Sequence, residues 1–184
     1  FVADLCFYAE NIPIKGETVL GRDHLVGPGG KGSNQAIAAA RLEGKVNFIT
    51  KMGEDTHADM AFKIYKEAGV ITNYITKDKN LSTGVAGIMI DNDGSNAINI
   101  VPGAAAHLNS EDIDDNLEIL EKSKIFLSQM ETPDEATIYS LRKAKDKESI
   151  VCLDCKKYDL NENITIITCC DKPVAIAGVI GGLE

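Results

Sequence analysis

A chain of 184 residues, 44% hydrophobic and 26% charged, holds enough apolar side chains for one sizeable core and is too ordinary in composition for a disordered segment. Its 28 acidic residues outnumber 19 basic ones, for a formal net charge of −9, and no basic stripe interrupts that balance. A nucleic-acid partner is therefore not expected, and with no apolar run long enough to cross a bilayer, neither is a membrane one.

The five cysteines are an odd number in a chain long enough to do without staples, which points to a reducing, cytoplasmic setting. Cys152, Cys155, Cys169 and Cys170 are poorly spaced for zinc, because adjacent cysteines make a poor second ligand pair. The first residues show no signal-peptide pattern. They begin without Met and in mid-pattern, which suggests a shortened start.

In chain order, the apolar spacing switches between two residues and three to four, as strands alternating with helices require. The Ala-rich residues 34–42 follow a glycine turn and predict a helix packed closely on a sheet. Residues 46–52 read as a strand ending at Gly53, residues 55–68 as a helix stopped by Gly69, and residues 71–75 as a short strand. Residues 83–90 and 96–101 are β-prone runs joined by Asp91-Asn92-Asp93-Gly94-Ser95, a turn rich in residues that accept positive φ. Ser110 can cap a helix running to about residue 121, residues 125–130 read as a strand, Thr132-Pro133 opens another helix, and residues 150–153 form a strand.

This layout predicts an α/β fold in which a mostly parallel sheet is flanked by helices and the hairpin projects as a small β sheet. The rhythm is lost after Asp154, so the expected organisation is a domain over 1–154 and an extension over 155–184.

The richest segment is Gly27-Pro28-Gly29-Gly30-Lys31-Gly32-Ser33-Asn34. Gly27, Gly29 and Gly32 have the G-x-G-x-x-G spacing of a dinucleotide turn, the basis of an oxidoreductase reading. The next strand, however, ends in Lys51-Met52-Gly53 without the acidic residue that such a site uses. A Walker loop needs Gly-Lys-Ser/Thr, and here Gly32 follows Lys31. A plain glycine turn opening a helix is the remaining alternative.

Other residues join this segment. Gly29-Gly30-Lys31-Gly32-Ser33-Asn34-Gln35-Ala36 resembles the first signature of the ribokinase-like (PfkB) sugar kinases. Further likenesses follow in order: Ala3-Asp4, the Ile12–Val19 stretch with its Pro13 and Gly16-Glu17-Thr18, Gly53-Glu54-Asp55, Ser82-Thr83-Gly84-Val85-Ala86, Pro102-Gly103-Ala104-Ala105 and Gln129-Met130-Glu131. Ala105 stands where the family has Asn, so that side chain's contact is not carried over.

The resemblance implies transfer of the γ-phosphate of ATP, with Mg, to a primary hydroxyl of ribose or a similar sugar. Asp4 and Glu131 would accept hydrogen bonds from sugar hydroxyls. Lys31, Asn34 and the N–H groups of Gly30 and Gly32 would donate, with Ser33 in the same motif. Ala86, Ile88 and Ile100 would give apolar contact from a lid whose strands lie near 17–27 and 83–101. Leu25, Val85, Ile88, Ile90, Ile98 and Ile100 would make the lid face of a homodimer.

The family's Asn-x-x-Glu metal motif, its glycine-rich ATP loop and the Gly-Ala-Gly-Asp that carries the catalytic base are not found in this sequence. The resemblance therefore covers the sugar-binding and lid half, with no catalytic, ATP or metal residue assigned and no turnover expected from this chain alone. A non-catalytic sugar-binding module is the alternative. From about residue 156, Asp159 to Ile167 and Asp171 to Gly182 resemble a segment of the phenylalanyl-tRNA synthetase beta subunit.

Overall fold

The structure, a computed structural model, describes residues 1–129 and 131–144 and, as backbone alone, strand residues 148–149, 166–169 and 172–176. It divides into two compact units, Phe1–Leu108 and Asn109–Glu184.

The first unit opens with β1 (Val2–Ala9), β2 (Gly21–Gly29) and α1 (Lys31–Arg41). It continues through β3 (Thr50–Gly53), α2 (Thr56–Ala68), β4 (Ile75–Asp78), β5 (Thr83–Ile90) and β6 (Asn96–Gly103). β3, α2 and β4 form a βαβ unit with its strands parallel, the connection that a crossover helix makes possible. Asp55 caps α2 by accepting the Ala58 N–H at 2.9 Å, and Gly69 ends it in the left-handed conformation at φ 85°.

Apolar side chains from both helices, from β3 and β4, and from the start of β1 meet in one core. Tyr65, fully buried, makes T-shaped contacts with Phe1 and Phe48 at centroid distances of 6.2 and 5.5 Å.

The remaining strands make a four-stranded sheet in the order β2-β1-β5-β6. β1 runs parallel to β5 and antiparallel to β2, and β5 and β6 are the expected hairpin. The projecting hairpin is thus half of a larger sheet. β1 is not legible from spacing, because Val2-Ala3-Asp4-Leu5-Cys6-Phe7-Tyr8-Ala9 lacks clean alternation and its parallel partner lies far along the chain. The lid strand expected near 17–27 begins at Gly21. Ahead of it the Glu17 N–H turns back to the Ile14 carbonyl at 3.0 Å.

Other boundaries shift. Of the expected strand 46–52 only its end is a strand, with Asn47 making an isolated bridge to Ile71. The expected strand 71–75 is displaced to Ile75–Asp78.

The second unit carries α3 (Ser110–Asp114), α4 (Leu117–Lys122), β7 (Ile125–Phe126), α5 (Asp134–Lys143), β8 (Glu148–Ser149), β9 (Ile166–Cys169) and β10 (Lys172–Ile176). β7 and β8 pair in parallel across α5, a second α/β crossover, whereas β9 and β10 pair antiparallel. The single helix expected over 110–121 is two. The Asn116 side-chain amide donates to the Asp112 carbonyl at 2.7 Å and interrupts the helical ladder there. Asn109, rather than Ser110, is the cap, in a reciprocal box with Asp112. The strand expected over 125–130 closes at Phe126, Met130 and residues 150–153 lie outside the described residues, and so do Cys152, Cys155 and Cys170.

Candidate functional site

Register across the four-stranded sheet places Gly27, Asp4, Ala86 and Ile100 in one row, each directly opposite the next. The adjacent row on the same face is Leu25, Cys6, Ile88 and Ile98. Paired residues share a face and alternate residues repeat it. Asp4 and the three expected lid residues Ala86, Ile88 and Ile100 are therefore presented together. Val85 is on the opposite face, which corrects its grouping with Ile88 in the expected dimer surface.

Asp4 is half-buried, and that burial raises its carboxyl above the usual aspartate value. It is the one carboxylate in these two rows, among otherwise apolar neighbours. β2 brings the glycine segment to it. Gly29 pairs with Val2, and a Cβ on Gly29 would stand 2.1 Å from Asp4 Oδ1. Gly30 then turns the chain at φ 85°, where a Cβ would also approach the Val2 nitrogen at 3.1 Å. A side chain at Gly30 would press on the β1 backbone, whereas one at Gly29 would displace the Asp4 carboxylate.

The turn delivers the N-terminus of α1 next to the Asp4 strand. The Asn34 N–H makes the helical bond to the Gly30 carbonyl at 2.9 Å, so the first-turn N–H groups ahead of it form the positive end of the helix. Lys31 and Asn34 are exposed in this turn, and Gly30 and Gly32 are half-buried.

Ser33 is placed differently from the rest of the motif. It is fully buried, and its hydroxyl bonds to the Tyr65 hydroxyl at 2.9 Å, tying α1 to α2. Burial pushes the Tyr65 phenol far above its ordinary value, so it stays protonated and able to serve that bond. The structure thus gives Ser33 a packing role. Glu131 belongs to the second unit, exposed in the turn ahead of α5.

Two residues without an assigned role stand at the root of the hairpin. Asp55 Oδ2 accepts the Thr83 N–H at 2.7 Å, and Thr83 Oγ1 accepts the Gly53 N–H at 3.1 Å. Burial alone would raise the Asp55 carboxyl, but the bonds from Thr83 and Ala58, with the charge of His57 nearby, outweigh it and hold the group below its ordinary value. The signals were Gly53-Glu54-Asp55 and Thr83-Gly84, but the pairing between them spans two distant segments.

The glycine segment begins inside β2, which pairs antiparallel with β1, so the parallel strand-turn-helix setting of a dinucleotide fingerprint is not present there. Among the described residues no helix is long and apolar enough to cross a membrane.

The deoxyribokinase of Salmonella typhi is 38% identical over 144 residues, 78% of this chain and 47% of that protein. The structure of Arabidopsis thaliana ribokinase complexed with ribose and ATP superimposes with a TM-score of 0.72 at 33% identity, covering 83% of this chain and 50% of that one. The chain spans about half the length of the curated kinases it matches. A 108-residue match, 45% identical and covering 59% of this chain, is made to 12% of the phenylalanine–tRNA ligase beta subunit of Prochlorococcus marinus. A match of that length reaches ahead of residue 156, so the likeness to that subunit is not confined to the tail. The model of the pfkB family carbohydrate kinases matches residues 1–164, and with the α/β fold and the site described above the chain belongs to that family.

Proposed function

We propose that the first unit holds the acceptor sugar of an ATP-dependent pentose kinase, with ribose or 2-deoxyribose as the substrate. The carrying observation is the row Gly27, Asp4, Ala86, Ile100, which sets one carboxylate in an apolar sheet face beside a helix N-terminus. A pentose has hydroxyls that need acceptors and donors, and a carbon face that needs apolar cover. Asp4 takes hydroxyl hydrogen bonds, and Lys31, Asn34 and the first-turn N–H groups give them. Ala86, Ile88 and Ile100 cover the ring, which excludes water that would compete for the phosphoryl group. The kinases named above support the substrate class through what they are called, a deoxyribokinase and a ribokinase.

The residues assigned here suit a polyhydroxyl ligand, and none of them makes a phosphate or metal cradle. This chain is therefore assigned the acceptor side of the transfer. The reading includes a dimer through the lid and a cytoplasmic, sugar-metabolic role, with residues 155–184 as an extension to the kinase-like part.

Calorimetric titration with ribose, 2-deoxyribose, ATP and NAD in turn tests the reading. Saturable binding of a pentose supports it, and binding of NAD with no response to either pentose overturns it. A coupled ADP-release assay with pentose and Mg-ATP tests the assignment of roles. Turnover within about a hundredfold of a complete ribokinase would exceed what loss of base and electrostatic clamp permits, each being worth about 10² or more.

A further inference from the structure

The two lid strands leave the body of the first unit at Thr83 and Gly103, which pair with each other in register. Their root is built backbone against backbone. A Cβ on Gly53 would meet the Leu81 carbonyl oxygen at 2.5 Å and the Thr83 nitrogen at 2.7 Å. One on Gly84 would meet the Pro102 oxygen at 2.6 Å, and one on Gly103, at φ 58°, the Ser82 oxygen at 2.4 Å. Three segments meet there too closely for a Cβ at any of these glycines, and hydrogen bonds across the root tie them together. The Ala104 N–H donates to the Ser82 carbonyl at 2.8 Å, and the Asp55 carboxylate and Thr83 hydroxyl complete the set.

Capping a helix takes one oxygen. Asp55 Oδ1 fulfils that role with the Ala58 N–H at 2.9 Å, and Oδ2 is left to grip the Thr83 N–H at 2.7 Å, twenty-eight residues further on. Thr83, 2% exposed, answers by accepting the Gly53 N–H from the end of β3. The exchange is reciprocal and fastens the first residue of β5 to the turn between β3 and α2. Ala86, opposite Asp4 in the sugar-facing row, follows three residues later on the same strand.

We propose that Asp55 is a positioning residue for the lid: through Thr83 it sets the base of β5, and so the placing of Ala86 and Ile88 over Asp4, without touching the sugar itself. The ligand part of this inference rests on the proposed pentose site, whereas the clamp itself does not.

The substitution Asp55→Ser separates the two functions. A serine hydroxyl caps Ala58 well but is too short, and has no second oxygen, to reach Thr83. Amide hydrogen exchange is read on the full chain at Ala58 and along α2, and at Thr83 and along β5, with pentose titration alongside. In Asp55→Ser, α2 should keep its protection, whereas the Thr83 and early β5 amides should exchange about tenfold faster or more, as locally opened segments do. Asp55→Ala should loosen both. Pentose affinity should fall in Asp55→Ser together with β5 protection.

Unchanged exchange at Thr83 in Asp55→Ser overturns the proposal, and so does equal loosening of α2 and β5. The isosteric Asp55→Asn, itself a preferred cap but with one acceptor oxygen for two donors, carries the same expectation and the same overturning results if Asp55→Ser folds poorly. If the wild-type chain binds no pentose, the exchange data alone decide the clamp, so failure of the sugar reading and failure of this one are told apart.

Discussion

The carboxylate of Asp4 occupies the space directly over the bare Cα of Gly29, where a Cβ would come within 2.1 Å of Asp4 Oδ1 and 2.4 Å of Asp4 Cγ. The atoms in the way are the far end of a rotatable side chain, and Gly29 is not in a left-handed conformation. Gly29→Ala should therefore turn the carboxylate aside at little cost to the fold. Stability by chemical denaturation should change by less than about 1 kcal/mol. Pentose affinity should drop about tenfold or more, since hydrogen bonds to a charged group are worth roughly 1.5–3 kcal/mol. An alanine variant that binds as tightly as the wild type would separate Gly29 from the work of Asp4.

A second prediction concerns Ser33, whose motif suggests a ligand and whose burial shows a helix tie. Tyr65→Phe leaves the Ser33 hydroxyl buried without that partner and should cost about 1–3 kcal/mol in unfolding free energy. Adding Ser33→Ala should recover part of the loss, because the orphaned hydroxyl is removed as well. Pentose affinity should be unchanged in both, and a large loss of affinity in the double variant would return Ser33 to the site.

Acidification should act in two stages. Burial raises Asp4 above its reference value of 3.8, so its carboxylate takes up a proton earlier than an ordinary aspartate as pH falls. Binding that needs the ionised acceptor should weaken on that side of 3.8. Asp55 is shifted the other way, below 3.8. A carboxyl with a depressed folded-state value contributes stability that is complete above 3.8 and lost as pH falls through the lower folded value. Affinity should thus fail before the Asp55 contribution to stability does. The check is pentose titration and denaturant midpoint measured over the same acid range, with Asp55→Ser flattening only the lower limb.

Self-association is the fourth prediction. Leu25, Ile98 and Ile100, all more than half exposed, crowd the Asp4 face of the sheet. Pairing such faces between two copies buries what a lone sheet leaves in water. Sedimentation at micromolar concentration should give a dimer, and Ile98→Lys should give a monomer with an intact lid. A wild-type monomer with a folded lid would remove the dimer from the account.

Local signals were legible and long-range pairings were not. α2 could be read almost to the residue, because Asp55 and Gly69 are cap residues at its two ends. The β5–β6 hairpin was equally plain from Asp91-Asn92-Asp93-Gly94-Ser95 between two apolar runs. β1 was not, because its pairing with β5 depends on residues far downstream and its own run has no clean polar alternation.

The site shows the same division. The glycine signature, Asp4 and the lid residues were named through family likeness, but that Asp4 and Ala86 sit opposite one another is a matter of register, which pairing between distant strands decides. The burial of Ser33 needed Tyr65 from another helix, and the second oxygen of Asp55 needed Thr83. Neither partner is visible to a reading confined to one segment.

Asp4→Asn tests the central claim most directly, because it keeps the size of the side chain and removes the charge and one acceptor. Titration of ribose and 2-deoxyribose into the wild type and this variant near neutral pH should show pentose binding to the wild type and an affinity at least about tenfold weaker in the variant, as loss of a charged hydrogen bond requires. Its unfolding midpoint should be unchanged or higher, since burial disfavours the ionised carboxyl in the fold. Pentose binding of equal strength in the two chains would contradict the account, because the acceptor sugar would then be held by something other than Asp4.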